Sequence, residues 1–240
     1  MKFSISIVSH NSGSLIANLL DDLRRFLPAE SEIILTLNCP EDEGFLERSA
    51  DLGITILRNV RPLGFGANHN QAFAMSRGRA FVVVNPDIRL PKPPWQALAE
   101  AMTADVGACA PMVVSPTGSP EDSVRRYPTM SRLFRRAVLK QRSPDYVAAG
   151  ADSRPVSVEW TAGMFMMFDA DAYRAVQGFD TRYFMYLEDV DICKRLNAKG
   201  LRVLWVPGCS VIHDARRASQ RSWQHARWHL RGVLRFLTGF

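Results

Sequence analysis

Phe3-Ser4-Ile5-Ser6-Ile7-Val8-Ser9 is a strand-like apolar run that stops at His10-Asn11-Ser12, and from Ser14 the pattern changes period. Leu15, Ile16, Leu19, Leu20, Leu23, Phe26 and Leu27 then recur at helical spacing. A buried strand feeding an amphipathic helix opens an α/β unit. The alternation continues with apolar strands at Glu32 to Asn38, Gly53 to Arg58 and Phe81 to Val84, and a helix at Phe65 to Ser76 between the last two. This predicts an α/β fold with a central, mostly parallel mixed sheet flanked by helices. Beyond Pro91 the spacing predicts a helix at Trp95 to Met102, strands at Ala108 to Val114 and Met164 to Phe168, a helix from Glu188, and short strands at Leu201 to Val206 and Ser210 to His213.

The 240 residues fit one domain, with no Gly/Ser-rich or Pro-rich linker. The expected division is a ligand-binding half at 1–90, a catalytic half at 91–222 and a basic amphipathic C-terminal helix at 223–240. No segment approaches the ~18 uninterrupted apolar residues of a membrane span, and Met1 to Val8 ends too early for a secretory h-region, so a cytoplasmic protein is expected. Cys39, Cys109, Cys193 and Cys209 lack paired spacing, which argues against a zinc site or disulfide framework and reads as four buried thiols. The net charge of +6 concentrates in Arg125, Arg126, Arg132, Arg135, Arg136, Lys140 and Arg142, and in six arginines from Arg216 to Arg235. Two basic patches imply polyanionic partners.

Ligands of open α/β sheets collect at the carboxyl ends of strands. Each strand here runs out into polar residues: Ser9-His10-Asn11, Asn38, Arg58-Asn59 and Asn85-Pro86-Asp87. Asn38 and Asn59, taken singly, read as turn residues. Asp87 would project where a divalent cation, Mg²⁺ or Mn²⁺, completes its shell with diphosphate oxygens and water. His213 could add a nitrogen ligand, although beside Asp214 it reads alone as a hydrogen-bonded surface pair. Gly64-Phe65-Gly66-Ala67-Asn68-His69-Asn70 opens a helix with small residues and free N–H groups that suit an anion. It matches neither the dinucleotide fingerprint nor the P-loop, which argues against a Rossmann dehydrogenase or an NTPase.

In residues 179–195, Phe-Asp-Thr-Arg-Tyr-Phe-Met-Tyr-Leu-Glu-Asp-Val-Asp-Ile-Cys-Lys-Arg, water-excluding aromatics deliver Glu188, Asp189 and Asp191 to a helix start. Such carboxylates suit a catalytic base. They equally suit a helix N-terminus whose acids complement the macrodipole.

Taken in order, Val8-Ser9-His10-Asn11-Ser12, Gly64-Phe65-Gly66, Asn70, Asn85-Pro86-Asp87, Trp160-Thr161-Ala162-Gly163, Gly178-Phe179-Asp180, Phe184 to Asp191 and His213 resemble the glycosyltransferases of family 2, of GT-A fold. Within them the chain is similar to bacterial rhamnosyltransferases of surface-polysaccharide (O-antigen) assembly, over nearly its whole length. The resemblance implies that Asn85-Pro86-Asp87 is a variant of the metal-binding Asp-X-Asp motif, with Asp87 and His213 on the cation. It implies Asp189 as the base, with Glu188 as an alternative or a hydroxyl-orienting partner. Ser9, His10, Asn38, Gly64, Gly66, Asn70, Asn85, Asp87, Trp160 and Gly163 are then the expected donor contacts. Trp160 has a second reading as core, which suits a large indole as well as a sugar platform does. Leu37-Asn38 departs from the family's Asp-Asn at the second strand end, which leaves a pyrimidine edge to Asn38. Asn85 is neutral where the motif is acidic.

The implied reaction is inverting transfer from a nucleotide sugar, dTDP-L-rhamnose in this subfamily, to a hydroxyl of a polyprenyl-diphosphate-linked or other glycan acceptor. At Trp223 to Phe240, apolar residues stand among Arg227, Arg231 and Arg235, spaced i, i+4, i+8. That pattern suits a helix lying on an anionic membrane surface, here the cytoplasmic face of the inner membrane, or a terminal helix packed on the domain. Nucleic acid is not an expected partner: binding it would leave the acidic loop and Asn85-Pro86-Asp87 unexplained.

Overall fold

A computed structural model describes residues 1–132, 144–147, 154–214 and 223–239. In chain order the elements are β1 (Phe3–Ser9), α1 (Gly13–Phe26), β2 (Glu32–Leu37), a 3₁₀ segment (Gly44–Leu52), β3 (Thr55–Arg58), α2 (Phe65–Met75), β4 (Ala80–Val84), β5 (Ile88–Arg89), α3 (Trp95–Ala101) and β6 (Val106–Val114). There follow β7 (Val124–Arg125), β8 (Val156–Val158), β9 (Trp160–Thr161), β10 (Phe165–Asp169), α4 (Ala170–Ala175), α5 (Glu188–Ala198), β11 (Arg202–His213) and α6 (Trp223–Thr238). Arg135, Arg136, Lys140, Arg142, Arg216, Arg217 and Arg221 lie outside the described residues.

Among the described residues the main sheet has nine strands, ordered β3-β2-β1-β4-β10-β6-β11-β5, with β8 also on β11. β1 pairs in parallel with β2 and β4, and β2 with β3. β10 enters antiparallel between β4 and β6, and β6 and β11 resume parallel pairing. The sheet is therefore mixed and mostly parallel, as the strand–helix alternation predicts.

Period-two alternation splits the core between the two sheet faces. Phe3, Ile5, Ile7, Val82 and Val84 pack with Leu19, Leu20 and Leu23 of α1 and Leu98 of α3. Phe81, Val83, Met166 and Phe168 pack with Tyr173 of α4 and with Val190, Cys193 and Leu196 of α5. Each fully buried leucine or phenylalanine contributes about 1.5–3 kcal/mol of transfer free energy. Asp22, buried on α1, accepts two hydrogen bonds from Arg89 (2.6 and 2.9 Å) and one from the Leu90 N–H (2.9 Å). It thereby anchors the short strand just beyond Asp87.

Three expectations change. The two short strands expected at 201–206 and 210–213 are one strand, β11, whose register against β6 shifts between Val206 and Ser210. Pro207 lacks the N–H needed to continue the ladder there. Cys109 and Cys193 are buried, but Cys39 and Cys209 are only half-buried. The strands β5, β7, β8 and β9 are two or three residues long, too short for periodicity to reveal.

Candidate active site

The approach to α5 is a strained turn. Tyr186 and Leu187 both adopt left-handed backbone conformations, with φ of 74° and 70°. For residues with a side chain this costs about 1–2 kcal/mol each. Leu187 is the N-cap residue of α5 and offers no side-chain cap. The turn drives Glu188 inward, to 5 % exposure, and leaves Asp189 half-buried beside it.

The two carboxylates have different surroundings. Asp189 Oδ2 accepts from the Gly163 N–H (3.1 Å) and Oδ1 from the Val190 N–H (2.8 Å). Glu188 Oε2 is buried without a hydrogen-bond partner. Burial raises the Glu188 carboxyl well above its ordinary value of 4.5, and the adjacent Asp189 charge raises it further. Burial raises Asp189 as well, but the Gly163 and Val190 N–H groups and the charge of Arg125 pull it back. When the pair shares one proton, that proton belongs on Glu188 and the negative charge on Asp189. An ionised carboxylate with oriented lone pairs is what a general base requires.

Asp87 stands at the end of the sheet just past β4. Its Oδ2 lies 3.2 Å from His213 Nε2, and His213 Nδ1 lies 2.8 Å from Glu121 Oε2. Burial alone would lower the His213 pKa, but the hydrogen bonds and charges of Asp87 and Glu121 outweigh it and push it up to about 9. The imidazolium bridges the two carboxylates. Asp87 Oδ1 is buried and unpartnered.

These features fit a divalent cation in part. Among the described residues no three His, Cys, Asp or Glu side chains form an ion cage. Asp87 Oδ1 supplies one hard oxygen, and diphosphate and water oxygens would complete the shell. His213 Nε2 lies beside Asp87 while Glu121 holds Nδ1, so on losing its proton it could add a nitrogen ligand.

The acidic turn and the Asp87 end meet at one place. The Asn85 N–H donates to the Met164 carbonyl (2.9 Å), while neighbouring Gly163 donates to Asp189. Consecutive residues at the entrance to β10 thus join the end of β4 to the start of α5.

Residues 4–174 match the family described as Glycosyl transferase family 2. The chain belongs to that family. It is 36% identical over 116 residues to the rhamnosyltransferase WbbL of Escherichia coli, covering 48% of this chain and 44% of WbbL. It is 30% identical over 207 residues to the N-acetylglucosaminyl-diphospho-decaprenol L-rhamnosyltransferase of Mycobacterium tuberculosis, covering 75% of this chain and 67% of that protein. Less than half of WbbL's length is thus represented. Among solved structures, GalNAc-T7 with UDP, GalNAc and Mn²⁺ superposes with a TM-score of 0.73 at 15% identity, covering 98% of this chain and 47% of that one. The mannosyltransferase PcManGT of Pyrobaculum calidifontis, in complex with GDP-Man and Mn²⁺, gives 0.66 at 16%, covering 98% and 64%. These likenesses establish the GT-A fold.

Within this family 2 fold, several residues expected to touch the donor make contacts that hold the scaffold. Asn70 Oδ1 accepts from the Tyr173 hydroxyl (2.6 Å) and the Phe179 N–H (2.9 Å), and its Nδ2 donates to the Phe179 carbonyl (2.8 Å). A Cβ on Gly64 would lie 2.6 Å from the Phe184 carbonyl oxygen, and one on Gly66 would lie 2.5 Å from Phe179 Cβ. The small residues at the start of α2 admit the aromatic loop. The Phe65 N–H completes the contact by donating to the Phe184 carbonyl (2.9 Å).

Asn38 Oδ1 accepts from the Leu63 N–H and Asn59 Nδ2, and its Nδ2 donates to the Leu63 carbonyl. That amide holds a turn, and one Nδ2 hydrogen is left over. Trp160 is 9% exposed, donates its indole N–H to the Arg126 carbonyl (2.9 Å) and packs in the core. Ser9 is buried and donates to Glu41 Oε2 (2.7 Å), while His10 is exposed. Periodicity carried no sign of Glu121 or Arg125, which lie in an irregular stretch far in sequence from the carboxylates they influence.

Proposed function

We propose that this chain is an inverting glycosyltransferase that moves L-rhamnose from dTDP-L-rhamnose to a hydroxyl of a polyprenyl-diphosphate-linked saccharide in surface-polysaccharide assembly. The observation that carries the chemistry is the Asp189 carboxylate, held by the Gly163 and Val190 N–H groups beside a buried Glu188. The donor and acceptor are supported by the names of the relatives: two are rhamnosyltransferases, and one of these has a lipid-diphosphate N-acetylglucosamine in its name.

In the proposed reaction Asp189 takes the proton from the acceptor hydroxyl as its oxygen attacks the anomeric carbon. The bond from that carbon to the diphosphate oxygen breaks on the opposite face, and both electrons leave with the nucleoside diphosphate. Glu188, protonated, orients the acceptor or the base. Asp87 would hold a divalent cation, which neutralises the departing diphosphate. General-base assistance is worth roughly a hundred- to ten-thousandfold in rate.

Attachment to an anionic membrane surface belongs to the same reading. No helix among the described residues is long and apolar enough to cross a membrane. The inner face of α6 packs on the fold through Phe236, Val233 and Leu237. Its outer face carries Trp223, Leu230 and Leu234, which are 87, 60 and 53% exposed, with Arg227 and Arg231 among them. Arg235 leaves the expected stripe and lies 5.9 Å over the Tyr183 ring. A basic, apolar outer face suits anionic lipid.

The test supplies purified protein with Mn²⁺, vesicles bearing polyprenyl-diphosphate N-acetylglucosamine, and dTDP-L-rhamnose, UDP-GlcNAc or GDP-mannose in turn. Transfer of rhamnose at least about tenfold faster than either rival sugar is expected. Equal rates, or a preference for UDP-GlcNAc or GDP-mannose, would reject the rhamnose donor.

A further inference from the structure

The Tyr186–Leu187 turn aims Asp189, yet nothing within it accounts for its conformation. Two consecutive left-handed residues persist only where their surroundings over-determine them. The α2 side reaches Phe184 and stops there. The Leu187 carbonyl accepts from the Asp191 N–H of α5 (2.9 Å), and further close contacts to 186 and 187 come from the C-terminal helix.

Gly232 of α6 lies flat against the turn: a Cβ there would be 3.0 Å from the Tyr186 carbonyl oxygen and 3.3 Å from Leu187 Cδ2. The Tyr186 hydroxyl lies 2.8 Å from His225 Nδ1. Trp228 stacks on Phe184 with ring centroids 4.7 Å apart. The Lys194 ammonium, on α5, sits 4.6 Å over the Phe236 ring of α6, so the helix that bears the base is also tied to the clamp.

We propose that α6 clamps the Tyr186–Leu187 turn and thereby sets the Asp189 carboxylate, which makes Tyr186, His225 and Gly232 positioning residues for the base. The inference rests on the glycosyltransferase reading for its meaning, but its geometry can be tested without turnover. The link between clamp and base is the hydrogen bond from the Gly163 N–H to Asp189 Oδ2. That bond spans two elements and lengthens if the turn relaxes.

The experiment uses full-length Tyr186→Phe and Gly232→Ala and follows amide exchange at Gly163 together with kcat and donor KM. Expected is a loss of Gly163 protection of about tenfold, the upper range for one net hydrogen bond, with the amides of β1 and β4 unchanged. A fall in kcat of similar size is expected, with donor KM within about twofold, since a misplaced base affects the transition state alone. Unchanged Gly163 exchange overturns the proposal, as does a uniform loss of protection across the sheet, which would mean plain destabilisation. Should Gly232→Ala fail to fold, Tyr186→Phe, which deletes one hydroxyl, decides. If the wild type transfers no sugar, the function proposed above fails, and Gly163 exchange still decides the clamp.

Discussion

Asp87 and Asp189, which we propose face one substrate, have different surroundings. Asp87 follows β4, whose five residues are all buried, and its Oδ2 is paired with His213. Asp189 follows a turn held in left-handed conformations, beside a glutamate with a buried, unpartnered oxygen. Asp87, the carboxylate proposed to bind the cation, sits in the turn between β4 and β5. Asp189, the proposed base, is held where burial makes its charge costly, and neighbouring elements supply the constraint. The contrast predicts that changes at the turn act on rate, while changes at the sheet end act on binding.

The largest expected effect tests the turn. Asp189→Asn removes the base but keeps its shape, so turnover should fall by roughly a hundred- to ten-thousandfold, with donor affinity within about twofold by titration. A variant retaining most of its rate would take Asp189 out of the role. In the wild type, the rate should rise with pH along a limb above the ordinary aspartate range, because burial raises Asp189.

A smaller effect concerns packing. Gly64→Ala puts a methyl group 2.6 Å from the Phe184 carbonyl oxygen. Relief requires backbone movement, at a cost of about 1–3 kcal/mol. The melting temperature should drop by about 2–4 °C for each kcal/mol in a chain of this size. An unaffected melting temperature would mean that the aromatic loop is not tightly docked on α2.

Glu188 offers the subtlest comparison. Its pKa is raised in the fold, so between the ordinary value and the raised one the native state binds more protons than the unfolded chain. Stability therefore falls as pH rises through that window. Glu188→Gln removes the cost, so it should be more stable than wild type at pH 8 and indistinguishable near pH 4, by about 1.4 kcal/mol for each tenfold difference in proton affinity between the folded and unfolded chain. A pH-independent difference would contradict the burial argument.

The sequence carries the first region better than the second. The strands and helices from Phe3 to Val84 follow directly from apolar period, because each buries one continuous face. Asp87 is legible as a carboxylate closing an apolar strand. Glu188 and Asp189 are legible as charges behind aromatics, but their unequal surroundings depend on Gly163, which is distant in sequence. Asn38 is legible as a turn residue, and its amide holds Leu63, but the hold of Asn70 on Phe179, 109 residues away, leaves no local signal. Close approach of a loop and of a phosphate leave the same mark at a glycine. Pairings such as His213 with Glu121 join segments that no period connects.

The most direct measurement is a calorimetric titration of dTDP-L-rhamnose with Mn²⁺ into wild type, Asp87→Asn and Asp189→Asn. If the sheet end binds and the turn reacts, Asp87→Asn loses donor affinity by about tenfold or more, while Asp189→Asn binds as the wild type does and transfers at least about a hundredfold more slowly. Loss of binding in Asp189→Asn with full binding in Asp87→Asn would contradict that division of labour.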